Sequence, residues 1–236
     1  MYEIMKKFEF TGETKTINLL FGTATLHRIR AVAKFGFVEI GELGGWIEKE
    51  ENLSHEENAW VYGDAKVYGN AKVYGNAEVR DKAEVCGNAK VYGNAKVGED
   101  AEVYDNAEVC GNAKVWYDAK VYGNAKVYSN AEVYSNAKVY GNAKVYGNAE
   151  VCGKAEVCGK AEVFSTRHVL VIGTIGSQDD FATFYRDKDN EITVKCGYFL
   201  DKIDKFLEKV TETHGDSNYA LVCRAAVEAA RLQIDL

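Results

Sequence analysis

A mainly β chain wound as a parallel β-helix is the fold class that three observations predict. Between Ala59 and Val163 one hexad, read as Ala-Lys/Glu-Val-Tyr-Gly-Asn, repeats without an insertion. Eighteen Ala (Ala59 to Ala161) and eighteen Val (Val61 to Val163) recur at every sixth position, and a six-residue period belongs to β-solenoids rather than to helical repeats. Proline is absent from all 236 residues, as stacked central strands that cannot spare a backbone N–H require.

Within a hexad such as Ala65-Lys66-Val67-Tyr68-Gly69-Asn70 the side chains alternate, so Val points to the core and its neighbours point outward. Gly-Asn then turns a corner, because Gly adopts positive φ without penalty and Asn tolerates it better than most residues. Three strand-turn units close a triangle, which places residue i beneath residue i+18 at roughly 4.8 Å. The regular part is expected to form about six coils of three hexapeptides, about 29 Å long.

An aliphatic residue followed four positions later by a small one, as in Val61 and Ala65, is the hexapeptide pattern, and the chain resembles the left-handed β-helix proteins that carry it. The left hand is implied by that resemblance, since the general rule for parallel crossovers favours the right. Ahead of the repeats, Leu43 to His55 reads LGGWIEKEENLSH. This stretch resembles hexapeptide-repeat proteins of bacteriophages and their Firmicutes hosts, and so does the IGTIGS segment (Ile172–Ser177) that follows the repeats. The resemblance covers most of the chain and implies a homo-oligomer, a trimer as in related β-helix proteins.

The remaining chain divides around the repeats. Residues 1–40 are expected to form an N-terminal β cap: Phe8, Phe10, Ile17, Leu19 and Leu20 bracket a turn-like Thr11-Gly12-Glu13-Thr14, and Thr25–Ala31 reads as a strand. Such a cap would cover the first coil, whose open edge would otherwise recruit other chains. The β-helix itself is assigned to 41–165, opening with an irregular coil in which Ile47, Leu53 and Val61 are spaced by six and then eight. A small α+β module, 166–236, follows. Val169–Gly173 and Glu191–Val194 read as strands, with a turn at Asp187–Asn190. Asp201 to about Thr213 reads as a helix with Ile203, Phe206, Leu207 and Val210 on one face and Gly215 as stop. A second helix from Ser217 is expected to bury Leu221, Ala225, Ala229 and Leu232.

Composition narrows the function classes. Net charge is −7, and within Ala59–Phe164 thirteen basic residues meet fourteen acidic ones, so generic nucleic-acid binding, which needs a basic surface, is disfavoured. No run approaches a membrane span, and MYEIMKKFEF lacks an apolar leader with a cleavage site. Of six cysteines, Cys86, Cys110, Cys152 and Cys158 each replace a hexad Tyr, and no CxxC or Cys/His cluster exists. Disulfides, metal and cofactor are therefore not expected, and a reducing cytoplasm, that of a bacterial host given the resemblance, fits best.

Candidate site residues emerge when outward side chains are sorted by face. The first face departs most from the repeat: its column reads Tyr62, Arg80, Gly98, Trp116, Tyr134, Cys152, and its corner carries Asp64, Asp81, Glu99, Asp100, Tyr117 and Asp118 where the other two keep near-uniform Gly-Asn. Gly98 removes one side chain between Arg80 and Trp116, which predicts a notch one coil high, flanked by Lys96 and Lys114. An aromatic plane, an Arg fork and two ammonium groups suit a nucleotide. On the third face Lys72 and Lys90 run beside Tyr74 and Tyr92 in a Tyr/Lys ladder, which either stabilises the stack or offers stacking and phosphate contacts to a ligand. Gly173–Ser177 presents a weaker phosphate loop, with Arg186 and Lys195 near in sequence; a hairpin turn competes with that reading.

Three functions are compatible with these residues. The first is a non-catalytic binding protein, for which the phage-like resemblance implies as its most concrete form a sponge that sequesters a nucleotide signal of host defence, on Arg80, Lys96, Gly98, Lys114, Trp116 and Tyr117 with the Tyr/Lys ladder. The second is an assembly module whose tyrosine ladders pack subunits. The third is an acyltransferase, the enzyme for which hexapeptide β-helices are best known. It needs a His general base, and His27, His55, His168 and His214 all lie outside the regular coils.

Overall fold

The computed structural model describes residues 5–236. Met1–Ile4, the start of the expected cap and of the MYEIMKKFEF stretch, lie outside it. The chain opens with β1 (Phe8–Leu19), β2 (Gly22–Ala31) and β3 (Leu43–Ile47), and continues through eighteen two-residue strands from β4 (Trp60–Val61) to β21 (Glu162–Val163). All eighteen run parallel with residue i beside residue i+18, as in Val97 beside Val115. They form three sheets, and β3 with the Leu53–Val73 bridge adds a lead-in coil below the six regular ones. The result is a β-solenoid of about 7 turns.

Both Val and the Ala two residues before it point inward, and every one is sealed from solvent. Fully burying a Val contributes about 1.5 kcal/mol at the low end, so the repeat itself supplies the core. Between coils the backbone is bonded throughout, as in Lys66 N–H to Ala83 O at 2.9 Å. Two corners carry amide ladders in which each Asn Nδ2 donates to the Asn Oδ1 one coil on, for example Asn94 to Asn112 at 3.0 Å. The first corner holds Asp81, Glu99 and Tyr117 at the glycine position, all with positive φ.

The lead-in coil explains the Gly-Gly-Trp motif. A Cβ on Gly44 would lie 2.6 Å from Ile29 Cγ1 and 2.7 Å from Trp60 Cζ2, and one on Gly45 would lie 2.6 Å from Ala65 O. Only glycine lets β3 pass between the cap and the first coil. Beneath it Phe8, Ile29, Ala31 and Val38 extend the core, and Phe35 packs edge-on to the buried Trp60. Lys7 is 3% exposed, with its ammonium donating to Ala59 O at 2.8 Å.

The hairpin of β1 and β2 exists, but its turn is Leu20-Phe21 rather than Thr11–Thr14. Residues 11–13 are instead a bulge, with Gly12 at φ +92°, which interrupts the register between Phe10 and Thr14. The strand expected at Thr25–Ala31 lies within β2.

At the other end, β22 (Val169–Ile175), β23 (Asp180–Arg186), β24 (Ile192–Cys196) and β25 (Phe199–Lys202) form an antiparallel sheet in that order. β23 closes the solenoid by supplying partners to the last coil. Thr183 Oγ1 accepts the Glu156 N–H at 3.0 Å, Tyr185 O–H donates to Cys158 O at 3.1 Å, and Arg186 donates to Glu162 O at 3.2 Å. Tyr185 belongs to the solenoid core, whereas its neighbour Phe184 faces α1 (Ile203–His214) and α2 (Asn218–Gln233) on the opposite side. Burial opposes ionisation of Asp187 at the end of β23, yet Lys202, Thr193 and two backbone N–H groups hold its carboxyl below the usual range.

In α1 the expected Ile203, Phe206 and Val210 are buried. In α2 the expected face is reversed: Ala220, Cys223, Ala226, Val227 and Ala230 are buried, while Leu221 and Leu232 are 54% and 83% exposed. Small side chains let α2 approach the sheet and α1 closely, and that packing outweighs the larger leucines. No helix among the described residues is long and apolar enough to cross a membrane.

Candidate functional site

On the first face the expected notch is closed. The Trp116 indole lies across Gly98, so that a Cβ there would meet its Cζ3 at 2.6 Å and Cε3 at 2.7 Å. With no side chain below it, the ring drops into the gap and buries apolar area that would otherwise stay wet. The cations do not converge on that position either. Arg80 lies over the Tyr62 ring at 4.8 Å and pairs with Glu78, Lys96 approaches the same Glu78 at 3.5 Å, and Lys114 pairs with Glu132 at 2.9 Å. Tyr117, 51% exposed, occupies the glycine place of its corner at φ +58°, a conformation unfavourable for a bulky residue.

The third face brings its residues together. Tyr74 and Tyr92 stack at 4.9 Å with planes 3° apart, and Tyr128 with Tyr146 repeats the arrangement higher up. At its foot a recess of about 540 Å³ gathers Lys72, Tyr74 and Lys90 on one wall, with Glu51, Ser54, Glu56 and Glu57 opposite. Tyr92 backs it through the stack. Burial and then Glu108 raise the Tyr74 phenol, and a bond to Cys110 and then burial raise Tyr92, so both remain neutral planes. Lys90 lies 3.9 Å from Glu108, and Lys72 has no ion-pair partner among the described residues.

The ladder of Lys72, Tyr74, Lys90 and Tyr92 is as the sequence predicts, and the opposite wall is an addition to it. That wall hangs from a short 3-10 turn, Glu50–Asn52. Buried Asn52 anchors it, donating to Ala71 O at 2.8 Å and accepting the Lys49 N–H at 2.9 Å. The available signal was the eight-residue step from Leu53 to Val61, two residues too many for a flat coil.

The histidines at both ends have the same task. His55 Nδ1 accepts the Lys7 backbone N–H at 3.2 Å and Nε2 meets Glu50 at 2.7 Å, with the ring stacked on Phe8. His168 Nδ1 accepts the Phe164 N–H at 3.3 Å, and burial, then Arg186, lowers its pKa. A neutral imidazole has one lone pair, and in each ring it is engaged by a backbone donor at an end of the solenoid.

The Ile172–Ser177 segment runs from β22 into the turn before β23. Arg186 and Lys195 have other partners: Arg186 donates to Glu162 O, and Lys195 lies 3.4 Å from Glu156. Set beside known proteins, the chain matches no family model, and no curated protein matches it.

Proposed function

We propose that this chain is a non-catalytic binding protein: a left-handed hexapeptide-repeat β-helix of the phage type that sequesters a nucleotide signal in the cytoplasm of a bacterial host, as a homotrimer. The observation that carries the reading is the recess at the foot of the third face. Its volume lies in the range of small-ligand sites. Its charges are sorted, with Lys72 and Lys90 available to phosphate and the glutamates opposite available to ribose hydroxyls or an exocyclic amine. Tyr74 offers a planar surface already fixed by its stack on Tyr92. A binding role without turnover is supported by the engaged lone pairs of His55 and His168, which leave an acyltransferase without a base at either position.

The test is calorimetric titration of the full chain with a panel of nucleotides, followed by recovery of the bound molecule. Lys72→Glu with Lys90→Glu is expected to weaken binding by about tenfold or more, and the ligand is expected to be released unmodified. Arg80→Glu with Trp116→Ala separates the first face from the third. Undiminished binding by the lysine pair variant, or no binding by the wild type, refutes the reading. An assembly role is the second reading. The internal pairing of the ladders, such as Lys144 with Glu162 at 2.8 Å, favours it, and large open assemblies with no retained ligand would establish it.

A further inference from the structure

Where the C-terminal module meets the upper coils, a groove of about 500 Å³ runs between the second face and strands β23 and β24. Its cations come from both walls: Lys120, Lys138 and Lys154 from the coils, and Lys195 from β24. Lys120 and Lys138 are direct register partners on neighbouring coils. Like charges placed directly opposite are destabilising, and here the two ammonium groups are drawn apart. Lys120 pairs with Glu102 at 2.8 Å on the coil below, and Lys138 pairs with Glu156 at 2.9 Å on the coil above.

Glu156 is also shared. Lys195 approaches its other oxygen at 3.4 Å, so one carboxylate serves two ammonium groups. Lys154 lies over the Phe181 ring at 4.7 Å and has no ion pair among the described residues. Asp118 and Asp180 also line the groove. Four ammonium groups thus line one cleft with three carboxylates, Lys120 being answered by Glu102 beyond the lining, in a chain whose net charge is −7.

We propose that this groove binds a compact polyanion of the phosphate type, a diphosphate or longer, bridging Lys120 and Lys138 and drawing in Lys154. A diphosphate presents oxygens on two phosphorus atoms and so meets ammonium groups on two coils at once in charge-assisted contacts, with Lys154, which has no carboxylate partner among the described residues, supplying a third. Because one wall is solenoid and the other is module, occupancy also clamps the two together. The groove shares no residue with the recess at Lys72 and Lys90, so either can bind without the other.

The experiment is calorimetric titration of the full chain with inorganic pyrophosphate at low ionic strength, with thermal melting as a second readout. Expected are saturable binding, a higher melting temperature, and loss of affinity as salt is added. Lys138→Glu combined with Lys154→Glu is expected to weaken binding by about tenfold or more, whereas Lys82→Glu, at an exposed corner outside both the groove and the recess, leaves it unchanged. Should the double variant fail to fold, the exposed and unpaired Lys154→Gln keeps the test, with a smaller loss expected. Absence of pyrophosphate binding, or equal affinity in the Lys138/Lys154 or Lys154→Gln variants, overturns the proposal.

Discussion

Lys7 places an ammonium group under the first coil, and replacing it with Met isolates what that charge does. The side chain is 3% exposed, bonded to Ala59 O at 2.8 Å and more loosely to Glu56 O and Glu57 O at 3.4 Å, and lies 4.8 Å from the centre of the Phe35 ring. Burial lowers its pKa from 10.5 to about 8, against a smaller opposing effect of Glu57. Between those two pH values the unfolded chain binds the proton that the folded chain has released, so stability rises with pH across the window and is flat below it. With both constants inserted, the gain from pH 7.5 to 9.5 is about 2 kcal/mol. Urea denaturation of wild type and Lys7→Met at a series of pH values reads this as a difference, in which tyrosines and thiols common to both chains cancel. The wild type should gain about 2 kcal/mol on the variant across that range. Parallel curves would refute the reasoning, for they would mean that the ammonium group is hydrated in the folded chain.

Gly98→Ala forces the Trp116 indole off the backbone it covers and should cost about 1–3 kcal/mol, with tryptophan emission moving to longer wavelength; Trp116→Ala in the same chain should relieve most of the cost. Tyr117→Gly should stabilise by about 1 kcal/mol, because the corner already has φ +58°, as read from the urea midpoint. Tyr185→Phe removes the bond to Cys158 O and should cost about 1 kcal/mol, while Tyr185→Ala also opens the top of the core and should cost about 3–5 kcal/mol. Hydrogen exchange should locate that second loss in the last coil.

The solenoid was legible because its physics is local and repeated: a Val and an Ala per hexad face inward whatever the neighbouring coils contain. What escaped the sequence depended on partners distant along the chain. In β23 both faces are covered, Thr183 and Tyr185 by the last coil and Ala182 and Phe184 by the sheet's other side, so the alternation that marks a half-exposed strand is absent. The hairpin turn at Leu20-Phe21 lacks turn chemistry of its own and is set by Gly22 at φ +96°. In α2 the large leucines drew the predicted face away from the small residues that pack. For the site, column membership was readable on both faces, but the rotamer that lays Trp116 over Gly98 was not. Nor was the recess wall, which arises from a coil that carries surplus residues outward.

Since residue i rests on residue i+18, the orientation of the C-terminal module about the long axis is a counting property. Removing or duplicating eighteen residues, such as 95–112, changes the distance between the two ends by one coil and leaves every column in phase. Removing six would swing the module by a third of a revolution and carry the Lys138–Lys154 groove around to another side. The repeat therefore acts as a screw with three stops, on which insertions and deletions of whole coils adjust reach while the bearing of one end against the other stays fixed.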